Sequence, residues 1–302
     1  MRTIPLGQSG LQVPTIAVGC MRMKSLDPAG AQRFVQAALD LGLNFFDHAD
    51  IYGGGECESI FGRAYQGPRD AIFLQSKCGI RKGHYDFSKE HILSAVDGSL
   101  SRLKTDYLDV LLLHRPDALM EPEEVAEAFY ILHSTGKVRH FGVSNQNPMQ
   151  MQLLQKVVKQ PLVADQLQFG LAHASLATQG MHVNMLDEGG VNRDGGALDY
   201  CRLHGITVQP WSPFQYGPIR GVFFGDKRYK ALEAKLGELA KQYNADSTAI
   251  ALAWLLRHPA RLQPIVGTMN VNRLASCARA AEIVLSREDW YALWLAAGNT
   301  LP

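Results

Sequence analysis

Residues 72–114 read IFLQSKCGIRKGHYDFSKEHILSAVDGSLSRLKTDYLDVLLLH. Two short apolar runs, Ile72–Lys77 and Tyr107–His114, flank a segment of helical period. Ser88, with Glu90 two positions on, marks the start of that helix, and Ile92, Val96, Leu100 and Leu103 then recur along one face. The stretch is therefore a strand, a helix and a second strand. Each apolar run closes on a polar group, Lys77 in the first and His114 in the second.

The same unit repeats in both directions. Further strands are predicted at Thr15–Val18, Phe45–His48, His140–Ser144, Leu162–Leu167, Thr207–Trp211 and Pro264–Gly267. Helices are predicted at Ala29–Leu41, Ser88–Leu103, Glu123–His133, Pro148–Val158, Ala197–Leu203, Lys230–Tyr243, Ser247–Arg257, Val271–Ile283 and Ser286–Ala297. Strands alternating with helices imply a parallel sheet. The unbroken run of such units, without a linker, favours a single (β/α)8 TIM barrel spanning residues 1–302 over a doubly wound sheet. Ile4–Val13 reads as a small hairpin ahead of the first barrel strand. Thr178–Gly196 and Ser212–Arg228 are irregular and long, the kind of loop that is functional or disordered.

Charge and cysteine usage narrow the class. Thirty basic and 29 acidic side chains leave a net charge of +1, with no long Lys or Arg run, so a nucleic-acid partner is not expected. No window approaches the ~18 apolar residues of a membrane span, and the N-terminus lacks a signal-peptide pattern. Cys20, Cys57, Cys78, Cys201 and Cys277 are scattered and form no C-x-x-C pair. Neither a disulfide framework nor a metal site is expected, and reduced thiols suit a cytoplasmic protein.

In a barrel the chemistry sits where strands end at their C-terminal face. Those ends read Asp47-His48-Ala49-Asp50-Ile51-Tyr52, Ser76-Lys77-Cys78, His114-Arg115-Pro116, Ser144-Asn145 and Trp211-Ser212-Pro213, with Gln166 on the sixth strand. Taken singly, each has a bland reading: Asp47 as a turn former, Tyr52 and Trp211 as packing residues, Lys77 as a snorkelling rim charge, His114 as a core histidine. Their order at successive strand ends points to chemistry. Lys77 paired with Asp47 offsets the cost of burial. An ammonium beside a phenol is expected to lower the Tyr52 pKa and ready it to give a proton to a carbonyl oxygen that His114 holds. No G-x-G-x-x-G opens a helix after the first strand; Gly53-Gly54-Gly55 is only a turn.

Asp47, Tyr52, Lys77 and His114 in LLLHRPD together resemble the tetrad of the aldo-keto reductases, in the bacterial branch of predicted oxidoreductases. Gly136–Asn145 is similar to that family's fifth-strand motif, and Pro264–Thr268 followed by Arg273 to its phosphate-binding end. The matches run from about residue 3 to residue 285. The resemblance implies NADPH-dependent reduction of a small carbonyl substrate, NADPH being favoured over NADH. It implies that Ser144, Asn145 and Gln166 hold the nicotinamide carboxamide and that Trp211 stacks on the ring. Ser212 and the loop to Arg220 would pass the pyrophosphate, while Gly267, Thr268 and Arg273 would meet the adenosine 2′-phosphate. Gly267 stands where many relatives carry a lysine. His48 and Tyr85 are expected at the substrate mouth. A nucleotide-sensing accessory subunit with little turnover is the alternative within the same fold.

Overall fold

The structure, a computed structural model, describes residues 1–217 and 220–302. Eight parallel strands close into a barrel. They are β1 (Ala17–Gly19), β2 (Phe45–Asp47), β3 (Phe73–Cys78), β4 (Leu108–Leu113), β5 (Val138–Ser144), β6 (Leu162–Gln168), β7 (Thr207–Trp211) and β8 (Ile265–Val266). They pair in chain order, β8 closing on β1 through Ile265 with Ala17 and Val266 with Val18. Every expected strand is present, with ends shifted by a residue or two.

The helices are α1 (Pro28–Asp40), α2 (Glu56–Ala64), α3 (Lys89–Leu103), α4 (Pro122–Ser134), α5 (Pro148–Gln155), α6 (Ser175–Met181), α7 (Ala197–His204), α8 (Lys230–Gln242), α9 (Ser247–Leu256), α10 (Val271–Arg279) and α11 (Arg287–Ala296). Their starts are set by local chemistry. Ser88 caps α3 by accepting from the His91 amide, and Asn147 with Gln150 forms a capping box on α5. The buried stripe of α3 is the expected one, with Ile92, Val96, Leu100 and Leu103 packed inward. Two helices lie outside the expected set, α2 and α6. The Thr178–Gly196 loop is therefore corrected: its first four residues complete α6, and Glu188–Gly190 forms a 3-10 turn. Among the described residues no helix is long and apolar enough to cross a membrane.

The hairpin of Thr3–Pro5 and Gln12–Pro14 plugs the N-terminal end of the barrel. Its Leu6 and Val13 are fully buried and pack with Ala17, Phe45, Val110, Leu112 and Val163 from inside the wall. Gly7 makes the close approach possible: a Cβ there would stand 2.4 Å from the Val163 carbonyl oxygen. The floor of the barrel is thus sealed with apolar side chains, and the opposite mouth is left for polar ones.

Candidate active site

Asp47 ends β2 and Lys77 is the penultimate residue of β3; they are 3% and 1% exposed. Lys77 therefore does not snorkel to the rim. Its Nζ lies 2.8 Å from Asp47 Oδ2, 2.7 Å from the His48 carbonyl and 3.2 Å from the Tyr52 hydroxyl. Three acceptors match the three donors of an ammonium. Tyr52 follows β2 in a turn whose Gly53, Gly54 and Gly55 have φ of 61°, 70° and 91°, a left-handed run that glycine adopts without strain. This turn delivers the phenol back over Lys77. The Tyr52 and His114 rings meet edge to face, with centroids 5.9 Å apart and an interplanar angle of 82°. The four expected residues, drawn from β2, β3 and β4, form one cluster.

Burial pushes the Tyr52 pKa above its ordinary value, and this outweighs the nearby Lys77 ammonium, which pulls it down. The expectation of a lowered phenol pKa is corrected here: desolvation wins in a site this closed. Burial opposes the Lys77 charge too, but Asp47 and Tyr52 hold its pKa above the usual lysine value. Burial, then Lys77 and Arg115, keeps the His114 pKa well below the usual histidine value, so its ring is neutral at physiological pH.

Asp47 has a second set of partners. Its Oδ1 accepts from Gln75 at 2.6 Å and from Gln166 at 2.7 Å. A column of amides continues inward: Gln75 donates to Gln209 at 3.0 Å, Gln209 to Gln263 at 2.8 Å, and Gln263 to the Pro14 carbonyl at 2.7 Å. Gln75, Gln209 and Gln263 are fully buried. Barrel interiors are mostly layered aliphatic side chains. Here a polar column runs from Asp47 to the hairpin at the floor. Sequence reasoning missed it, because each glutamine sits in an unremarkable strand segment.

A second cluster adjoins the first. Ser144 donates to the Gln166 backbone carbonyl at 3.1 Å, Asn145 Nδ2 to Ser144 Oγ at 2.7 Å, and Trp211 Nε1 to Asn145 Oδ1 at 3.2 Å. Asn145 and Ser212 hold φ of 60° and 49°. Left-handed backbone at two non-glycine strand ends is a marker of functional sites. Gln166 spends its amide nitrogen on Asp47. With Ser144 and Asn145 beside it, the donors and acceptors left over fit a carboxamide, and the half-buried Trp211 ring offers a flat apolar surface.

A third cluster lies beyond β8. Thr268 Oγ1 accepts from the Asn270 amide at 3.1 Å, and Asn270 caps α10 by accepting from the Arg273 amide at 3.0 Å. Arg273 is exposed. Arg22, which sequence reasoning also missed, donates to the Gly267 carbonyl at 2.9 Å. A Cβ on Gly267 would stand 2.9 Å from that guanidinium nitrogen, so Arg22 fills the space beside residue 267. In the Ser212–Arg228 loop, Gln215–Gly217 and Arg220–Val222 pair as an antiparallel ribbon. Pro218 and Ile219, expected along the pyrophosphate path, lie outside the described residues.

His48 is corrected as a mouth residue. It is fully buried against Phe61, with ring centroids 4.8 Å apart. Neither ring nitrogen has a hydrogen-bond partner among the described residues. Burial, then Lys77, pushes its pKa down to about 3. Strand alternation explains the placement: Asp47 faces the lumen, so His48 turns to the helix layer. Tyr85 is exposed, on a two-residue ribbon with Ile80 opposite.

Comparison with known proteins identifies the family. The model of the aldo/keto reductase family matches residues 15–294. The chain belongs to that family. It is 36% identical to the uncharacterized oxidoreductase YcsN of Bacillus subtilis, each covered over 100% of its length. It is 34% identical to the oxidoreductase YdhF of Escherichia coli, each covered over 98%. A 6-dehydroglucose reductase of Agrobacterium fabrum is 34% identical, each covered over 95%. Among solved structures, the thermostable aldo-keto reductase Tm1743, in complex with the inhibitor epalrestat, superposes with a TM-score of 0.80 at 26% identity, covering 98% of this chain and 100% of that one.

Proposed function

We propose that this protein is a cytoplasmic, NADPH-dependent carbonyl reductase, working as one domain, that reduces an aldehyde or ketone to an alcohol with Tyr52 as proton donor. The observation that carries the reading is the closed Asp47–Lys77–Tyr52 chain beside His114. A phenol held protonated by burial is poised to give its proton rather than lose it to solvent. As the proton leaves, Lys77 stabilises the phenolate, and Asp47 keeps Lys77 charged. Neutral His114 has one N–H to donate and orients the substrate oxygen toward Tyr52. Trp211 would hold a reduced nicotinamide, whose chemistry when bound would be to supply the hydride.

Ser144, Asn145 and Gln166 would orient the carboxamide. Ser212 would follow the cofactor away from the ring, and Thr268, Arg273 and the backbone at Gly267 would meet the adenosine end. Guanidinium geometry suits a phosphate, which favours NADPH over NADH.

Tyr52→Phe removes the proton and leaves the ring. Turnover of an aldehyde panel should fall by about 10²- to 10⁴-fold, while NADPH still titrates in by fluorescence. Wild-type turnover in that variant would overturn the proton-donor role. A wild-type chain that binds NADPH and reduces nothing across the panel would instead be a nucleotide sensor.

A further inference from the structure

Arg115 follows His114 at the end of β4 and is partly buried. Its guanidinium carbon lies 5.5 Å from the centroid of the Trp211 ring. Trp211 ends β7, and β5 and β6 stand between β4 and β7 around the barrel. The contact therefore spans the mouth rather than joining neighbouring strands. Arg115 also lies close enough to His114 to help hold that ring neutral. The guanidinium thus shares the mouth with the residues proposed to bind the reacting carbonyl.

Lys77 and Arg115 differ in their partners. Lys77 has a full set of acceptors. Arg115 makes no ion pair and no side-chain hydrogen bond among the described residues; Trp211 is its one recorded partner. A guanidinium carries five N–H donors, and withdrawing them from water without acceptors is costly. Stacking on an indole face offsets only part of that cost. Asp47 is engaged with Lys77, Gln75 and Gln166, and Asp117 with the amides of Phe87 and Leu119.

We propose that Arg115 binds substrate and selects carbonyl compounds that carry a carboxylate a few bonds from the reacting carbonyl. This rests on the carbonyl-reductase reading. The planar fork of a guanidinium accepts a carboxylate through two parallel hydrogen bonds. Arg115 reaches across the mouth to Trp211, so a ligand whose carbonyl meets His114 can extend its carboxylate toward the guanidinium.

The test compares charged and neutral substrates of similar shape: succinate semialdehyde against butanal, and 4-carboxybenzaldehyde against 4-methylbenzaldehyde. Wild-type kcat/KM should favour the acid in at least one pair by about 10- to 100-fold, the worth of a charge-assisted hydrogen bond. Arg115→Gln should bring that ratio toward one, chiefly through KM, and Arg115→Lys should restore part of it. An unchanged ratio in Arg115→Gln would overturn the proposal. So would an equal loss for D-glyceraldehyde, a neutral polyol, since charge would then not be the basis. A calorimetric titration of the NADP-loaded protein with 4-hydroxybutanoate and with butan-1-ol separates the two readings. Arg115-dependent binding of the acid in a chain that reduces nothing would keep Arg115 and sink the reductase. Turnover of butanal with no Arg115-dependent preference would do the reverse.

Discussion

Asp47 and Asp165 are both sealed carboxyls on the barrel wall, 3% and 0% exposed, but on opposite faces of it. Asp47 looks into the lumen. Asp165 directly precedes Gln166, whose side chain reaches Asp47, so alternation along β6 turns Asp165 outward to the helices. There it lies near Cys201 of α7 and Asp194. Asp47 accepts three hydrogen bonds, from Lys77, Gln75 and Gln166. The backbone amides of Gln146 and Asn145 face Asp165 and pull its pKa down, but neither oxygen makes a well-formed hydrogen bond among the described residues, and burial outweighs them, pushing that carboxyl up to about 8. Burial is common to both. Donors supplied by the fold decide whether a charge survives it.

Removing the charge on the lumen side should have the largest effect. Asp47→Asn keeps the shape and strands Lys77 without its counter-ion. Breaking one side of a buried pair typically costs about 3–5 kcal/mol. Urea unfolding should show a loss of that order, and turnover should fall by about 10²-fold or more as Tyr52 loses its support. A variant with wild-type stability would mean that the pair is not ionised in the folded protein, and the contrast with Asp165 would collapse.

Gln75→Leu is a gentler cut at the same comparison. It takes one donor from Asp47 and leaves Gln209 partly unsatisfied, while Lys77 and Gln166 stay in place. Leaving buried polar groups short of partners costs about 1–3 kcal/mol. Stability should drop by that amount and kcat by less than in Asp47→Asn. A Gln75→Leu variant as damaged as Asp47→Asn would show that the amide column, not the ion pair, sustains the lumen side.

Much of this was legible in advance. A polar residue closing an apolar run is a local pattern, and it located Asp47, Lys77 and His114 at their strand ends. Helices with a capping residue and a continuous apolar stripe, such as α3, were equally plain. α2 does carry an apolar stripe, Cys57, Ile60, Phe61 and Ala64, but it is only nine residues long, starts directly after three glycines and sets Glu58 among its buried residues, and it was passed over. α6 is a seven-residue helix, too short to show a period. The glutamine column is invisible for another reason: Gln75 and Gln209 are 134 residues apart, and only barrel closure makes them partners. The Tyr52 shift went the other way from expectation because the ammonium beside it can be inferred from motif order, whereas the depth of burial cannot.

On the outer face the expected effect is a dependence on pH rather than a loss at one pH. The unfolded Asp165 carboxyl titrates near the ordinary ~3.9, while in the folded protein its pKa is about 8. Between those values the folded chain holds a proton that the unfolded chain has released, so stability is greatest below the lower value and is lost as pH rises through the upper one. The slope is at most about 1.4 kcal/mol per pH unit. Asp165→Asn cannot titrate and should flatten this dependence. Unfolding midpoints measured from pH 5 to pH 8 should rise for the variant relative to wild type at each step, whatever fixed offset the new amide brings. A constant difference across that range would mean that Asp165 is already ionised in the folded state. The amides of Gln146 and Asn145 would then suffice to hold a buried carboxylate, and the donor sets would no longer separate the two sides of the wall.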